Sequence, residues 1–284
     1  MSKHLKSVFI IIYFILIAMI TLYGAILISN SFSWAWIGVL LTTLPSLLLF
    51  AIVYITLSPP HDNKHQIFMT IPVLAGLVLT FSTYITADAG DAAAMFAAII
   101  SAVGYVLYIS WYSTFRHGKN TLLTVGGALP DFEVDDIGGR KVRSSSLKGR
   151  PAIYIFYRGN WCPFCMAQIT ELAVKYKDSL SGKGLQIALI SPQPHGRTWE
   201  LARRLDVPFK FWVDSGNLAA RELDIIDSHG VPFILVLFGY DYETVLPTAI
   251  MTDEDGKIIY VDQTDTYRVR PKPEEFLNAL ESIK

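Results

Sequence analysis

The chain has 284 residues, 52% hydrophobic and 17% charged, and its 24 Lys and Arg against 25 Asp and Glu leave a formal net charge of −1. A mean hydropathy of +0.38 is too apolar for an ordinary water-soluble enzyme of this length and assigns part of the chain to lipid. The balanced charge, with no basic stripe, repeat or low-complexity tract, excludes nucleic acid as the expected partner.

Four uncharged apolar runs come first: Val8 to Ile28, Trp34 to Leu57, Ile67 to Ala87 and Ala92 to Phe115. Each is long enough to cross about 30 Å of hydrocarbon as a helix, which predicts four transmembrane helices. Lys3 and Lys6 would also suit a signal peptide, but the first run exceeds a signal's apolar core and no small-residue cleavage site follows. Trp34, Trp36, Trp111 and Tyr112 fall near span ends, where amphipathic aromatics settle, and Pro45 and Pro72 lie within spans. The cations Lys3, Lys6, Lys64, Arg116 and Lys119 flank alternate ends of the spans, so those segments and everything after Phe115 are expected on the cytoplasmic side. His4, His61, His65 and His117 sit at span edges or in loops and predict no haem ligand pair; Asp88 and Asp91 read as solvated loop acids rather than a proton path.

The remainder reads as a soluble domain, giving boundaries of 1–120 for the membrane part and 121–284 for the rest. "DFEVDDIGGRKVRS" is a hairpin turning at Ile137-Gly138-Gly139, and "PAIYIFY" (Pro151 to Tyr157) is a strand buried on both faces. "CPFCMAQITELAVKYKDSL" is a helix, followed by strand "LQIALIS", helix "GRTWELARRLD", strand "FKFWVD" and helix "GNLAARELD". A hairpin around Asp255-Gly256 and a helix from Pro273 to Ile283 close the chain. Helices alternating with buried strands imply a mainly parallel central sheet with an antiparallel edge.

The chain's two cysteines, Cys162 and Cys165 in "YRGNWCPFC", stand where the first central strand gives way to the first long helix. The helix start, with its unpaired N–H groups and positive dipole end, favours a thiolate at Cys162, and Pro163 suits the first turn. Arg158 is close enough in sequence to add positive potential or to be a plain surface arginine. Trp161 and Phe164 are either an apolar rim for a partner or core packing. A zinc site wants more ligands than two cysteines and the isolated His195 and His229 supply, so no metal or other cofactor is expected.

"FYRGNWCPFCMAQITEL", with "LPDFEVDDIGGRKVRSSSLKGRPAIYIFYRGNWCPFC" before it and "LPTAIMTDEDGKIIYVD" after, resembles the alkyl hydroperoxide reductase and thiol-specific antioxidant (redoxin) family of the thioredoxin superfamily. The resemblance covers the soluble domain and none of the membrane part. It implies a thioredoxin fold for that domain, so that with the four spans the chain is expected to be a four-helix membrane bundle followed by an α/β thioredoxin-fold domain, and it implies a cis proline facing the cysteines. Leu246-Pro247 holds that proline's place, with Pro232 the other candidate. In the thioredoxin register Cys162 attacks and Cys165 resolves; in the peroxiredoxin register Arg158, Cys162 and Cys165 fall on the family's Pro, Thr and peroxidatic Cys. Both patterns are incomplete, because that Pro and Thr are replaced and Phe156 stands where thioredoxins bury an acid.

The expectation is a membrane-anchored oxidoreductase that reduces peroxides or disulfides through Cys162 and Cys165, with Cys162 as nucleophile. Trp161, Pro163, Phe164, Leu246, Pro247 and Arg158 form its substrate side. On the cytoplasmic face of a bacterial inner membrane a thioredoxin or glutathione system would recharge it. The rival readings are a dithiol metal carrier and a redox sensor coupled to the membrane helices.

Overall fold

The structure, a computed structural model, describes residues 2–86, 90–115, 120, 122–176, 178, 182–228, 230–266 and 268–282. Asp88, Arg116, His117, Lys119 and His229 lie outside the described residues, as do the side chains of Lys3, His4 and His65. The chain divides into two compact units, one of Met1–Ile55 with Asp62–Thr114 and one of Thr56–His61 with Phe115–Lys284.

In the first unit the four apolar runs are helices: α1 (Ser2–Asn30), α2 (Trp34–Thr56), α3 (Lys64–Thr86) and α4 (Ala92–Leu107). All four are long and apolar enough to cross a membrane, the fourth by continuing through a π-helical turn, Tyr108–Tyr112. The fourth therefore stops short of the predicted Phe115, because Ser113 returns both its N–H and its hydroxyl to the Tyr108 carbonyl and closes the turn. Large apolar side chains such as Met19, Phe68 and Phe96 point outward, the pattern of helices whose solvent is hydrocarbon.

With no hydrophobic drive between helices in lipid, close backbone approach and hydrogen bonds hold such a bundle. A Cβ on Gly76 would sit 2.4 Å from the Gly38 carbonyl oxygen, so α2 and α3 touch through glycine backbone. Thr80 Oγ1 donates across the same crossing to the Ala35 carbonyl at 3.2 Å. Asp91, expected to be a solvated loop acid, instead caps α4 through the Ala94 N–H and accepts the Trp36 indole N–H at 2.7 Å.

The second unit is built on a seven-stranded sheet, in which β1 (Glu133–Asp136) and β2 (Lys141–Arg143) form the expected hairpin, with Gly139 at φ +79° in its turn. β3 (Ala152–Phe156), β4 (Gln186–Ser191) and β5 (Lys210–Val213) run parallel, alternating with α5 (Pro163–Lys175) and α6 (His195–Leu205). After α7 (Leu218–Glu222), a two-stranded ribbon of β6 (Ile226–Asp227) and β7 (Thr244–Val245) brackets the short α8 (Phe233–Val236). The hairpin of β8 (Thr248–Thr252) and β9 (Ile258–Gln263) completes the sheet, and α9 (Pro273–Glu281) follows it. The strand order is β2-β1-β5-β4-β3-β8-β9.

This is the thioredoxin-like α/β plan. All five residues of β3 are buried, with Tyr154 and Phe156 in one core alongside Phe132, Trp212 and Ile250. Phe164, Ile169 and Leu172 of α5 are also fully buried. That double burial fixes the carboxyl end of β3, and with it the start of α5.

Gly76→Leu forces α2 and α3 apart. The full-length protein in detergent is expected to melt several degrees lower than wild type, while Gly139→Asn, at an exposed hairpin turn that tolerates left-handed backbone, leaves the melting temperature nearly unchanged. Equal melting of Gly76→Leu and wild type would contradict the close crossing.

Candidate active site

The backbone leaves β3 at Phe156, runs through Tyr157–Trp161, and enters α5 with Cys162 as its N-cap and Pro163 in the first turn. Gly159, at φ +142°, makes the turn possible; a Cβ there would meet Trp161 Nε1 at 2.7 Å. Buried Gln193 anchors this turn, accepting the Asn160 N–H at 2.8 Å and donating to the Tyr157 and Thr198 hydroxyls at 3.0 Å each. Burial also raises the Tyr157 phenol far above its ordinary range, so it stays neutral.

Both cysteines are reduced and buried, Cys162 at 1% exposure and Cys165 at 0%. Cys162, the expected nucleophile, is not exposed, and the helix start does not lower its pKa. Burial pushes the Cys162 thiol well up, the hydrogen bond it shares with Cys165 and the charge on that sulfur push the same way, and Arg270 and Arg158 pull only weakly against them. At Cys165 burial also raises the pKa, but it is outweighed by the Cys162 hydrogen bond, the Arg270 charge and hydrogen bond, and a backbone bond from Arg158, leaving it at about 5. The two thiols therefore titrate as a coupled pair, with the lower pKa drawn toward Cys165 and the higher toward Cys162.

Arg270 is the residue that the sequence reading missed. It lies far along the chain in "YRVRPKP", with no local motif to mark it, yet its guanidinium is 2% exposed and donates to Cys165 Sγ at 3.5 Å. Nearby on β9, Asp262 is a carboxylate raised to about 6 by burial, with the Arg270 charge drawing it back. It is half-buried, on the edge strand of the sheet.

The other expected site residues separate. Arg158 is no surface arginine: it is 6% exposed, donates to the Gly230 carbonyl, faces Asp227 at 3.8 Å and stacks on Trp161 at 4.9 Å. Phe164 is core rather than rim, because its place on α5 turns it against the sheet; Trp161, half-buried under the Arg158 guanidinium, and half-buried Pro163 stay beside the cysteines. Leu246 and Pro247 reach the same end of the sheet, since Thr248 pairs with Phe156. Their peptide bond is trans, not cis as expected, and no described residue has a cis peptide. The Leu246 N–H is already taken by the Ile225 carbonyl at 2.7 Å, and trans is the lower-energy state of an X–Pro bond. Among the described residues no three His, Cys, Asp or Glu side chains gather to hold a metal ion.

Residues 125–261 match the AhpC/TSA family. These residues form an AhpC/TSA family domain of the redoxin, thioredoxin-like kind. Among its relatives, the thiol-disulfide oxidoreductase ResA of Bacillus cereus is 29% identical over 162 residues, spanning 56% of this chain and 78% of that protein. ResA of Bacillus subtilis is 25% identical over 170 residues, spanning 57% and 78%. The crystal structure of peroxidoxin BcpB from Mycobacterium tuberculosis aligns at 19% identity and a TM-score of 0.46, over 57% of this chain and 99% of that one. The chain is an oxidoreductase, and in its AhpC/TSA domain the cysteine pair occupies the strand-to-helix junction.

The low pKa at Cys165 makes a direct prediction. The thiolate absorbance of the reduced full-length protein should persist from neutral pH down to about 5 and vanish below it, whereas an ordinary thiol loses it near about 8.5. In Cys165→Ser the low-pH thiolate should be gone; a wild-type midpoint near the ordinary thiol value would refute the low pKa.

Proposed function

We propose that the chain is a membrane-anchored thiol-disulfide oxidoreductase whose redox centre is Cys162 with Cys165. The observation that carries this reading is two free, buried cysteines at the start of α5, with the guanidinium of buried Arg270 3.5 Å from Cys165 Sγ. As the Tyr157–Trp161 turn opens, Cys162 passes its proton to Cys165 and attacks one sulfur of a substrate disulfide, displacing the other as thiolate. Cys165 then gives that proton to the displaced substrate thiolate, which Arg270 makes easy, and attacks Cys162 Sγ. A Cys162–Cys165 disulfide forms and the second substrate thiolate leaves. A dithiol donor of the thioredoxin or glutathione kind returns the two electrons. The ResA relatives carry the name of this activity, which supports the reading.

Peroxide is a second oxidant for the same centre, favoured by one observation: the lower pKa of the pair is drawn toward Cys165, the peroxidatic position of the peroxiredoxin register. There Cys165 would attack a peroxide oxygen and become a sulfenic acid, releasing alcohol or water, and Cys162 would condense with it to the disulfide and a further water. Trp161, Pro163, Leu246, Pro247 and Arg158 line the approach in either case.

The four apolar helices support multi-pass insertion in a bacterial inner membrane. The loop Thr56–His61, which precedes Lys64, belongs to the same compact unit as the AhpC/TSA domain, as a topology placing both on one face requires. The cation pattern makes that face cytoplasmic. In intact cells a membrane-impermeant maleimide should therefore leave Cys162 unlabelled under conditions that label it in lysed ones; equal labelling would put the domain outside.

Trapping separates the two registers. Full-length Cys165→Ser, reduced and mixed with a disulfide substrate, is expected to accumulate a mixed disulfide on Cys162 visible by mass spectrometry, with turnover down at least about a hundredfold. If Cys162→Ser instead consumes peroxide at close to the wild-type first-turnover rate, Cys165 is the attacking sulfur.

A further inference from the structure

The segment Thr56–His61 is the connector between α2 and α3, yet it is built into the AhpC/TSA unit. Two consecutive residues of it grip the backbone of Arg270. The Pro60 carbonyl accepts the Arg270 N–H at 3.0 Å, and His61 Nδ1 lies 3.1 Å from the Arg270 carbonyl oxygen. The other face of the connector holds α5, the helix that begins at the cysteines. His61 Nε2 is 3.2 Å from Glu171 Oε2, Ser58 Oγ donates to Glu171 Oε1 at 2.7 Å, and Lys175 Nζ donates to Ser58 Oγ at 2.5 Å.

The His61 ring faces an acceptor at each nitrogen, a carbonyl and a carboxylate. Nδ1 is turned to the Arg270 carbonyl and Nε2 to the carboxylate of buried Glu171, so the ring bridges the two. The charges around it are Glu171 and Lys175 on α5 and Glu274 on α9. His61 is therefore a two-ended tie, one end on the helix that carries Cys165 and the other on the residue whose guanidinium reaches Cys165 Sγ.

We infer that the α2–α3 connector is part of the redox site, and that His61 is a positioning residue that sets the Cys165 thiolate by holding Arg270 in register with α5. The guanidinium meets the sulfur at 3.5 Å, the long end of a hydrogen bond to sulfur, and a displacement of the Arg270 backbone by an ångström removes it. The inference rests on the dithiol reading of Cys162 and Cys165 and adds its regulation.

The test titrates the thiolate absorbance of the reduced full-length protein in detergent. His61→Phe keeps a ring but removes both nitrogens, and should raise the thiolate midpoint by about one pH unit, a tenfold change in proton affinity. His61→Gln, which keeps one donor, should shift it less, and Arg270→Met should shift it most. A His61→Phe midpoint equal to wild type, or an Arg270→Met midpoint equal to wild type, overturns the inference. Mixed-disulfide trapping on Cys162, measured in the same preparations on a Cys165→Ser background, reports separately on the dithiol reading. Trapping that persists with unmoved midpoints defeats the positioning role alone, and its absence without the His61 and Arg270 changes defeats the dithiol reading. Should the His61 variants not fold, wild type still decides. Coupling is reciprocal, so hydrogen exchange at the Arg270 amide should be at least about tenfold faster in the oxidised protein than in the reduced one, and equal exchange overturns the inference.

Discussion

A buried negative charge needs a buried positive one, and the second unit is organised around that requirement at Cys165. The sulfur sits at zero exposure on the inner face of α5, where solvation cannot stabilise a thiolate. Arg270 supplies the countercharge and is itself held by the Thr56–His61 segment. Arg158, fixed between Asp227 and Trp161, adds positive potential from the other side of the turn. Without these two arginines the same CxxC would be two neutral, inert thiols in a hydrophobic core.

The arrangement also explains why the two sulfurs differ. Cys162 donates its proton to the pair's hydrogen bond while Cys165 receives it and faces the guanidinium, so the helix dipole is not the deciding field. In the proposed mechanism the low pKa of Cys165 serves the resolving step, where that sulfur must give up the proton it took from Cys162. Asp262, raised toward neutrality on β9 and coupled to Arg270, is placed to take part in the same proton balance.

Much of the fold was legible in local sequence. The span lengths, the Ile137-Gly138-Gly139 and Asp255-Gly256 turns, the fully buried β3 and the CxxC at its end all declare themselves through composition, periodicity and turn chemistry. The site was legible only as far as its contiguous residues. Arg270, Gln193, His61 and Glu171 act together from positions far apart in the chain, and nothing in the residues flanking each one marks it. The exposure of Cys162, the cis state of Leu246-Pro247 and the rim role of Phe164 were misread for one reason. Each depends on what packs over the residue, and that neighbour comes from elsewhere in the chain.

The sequence by itself determined the four apolar helices, the β-α-β order of the second unit and the place of the cysteine pair at the end of a buried strand. These follow from hydrophobic period, length and residue chemistry acting over a few turns. Only the tertiary structure decided which arginine faces which sulfur, and that a loop between two membrane-length helices belongs to the same compact unit as the AhpC/TSA domain. Electrostatics in a low-dielectric interior acts through space, and distance in space is what a linear sequence does not encode.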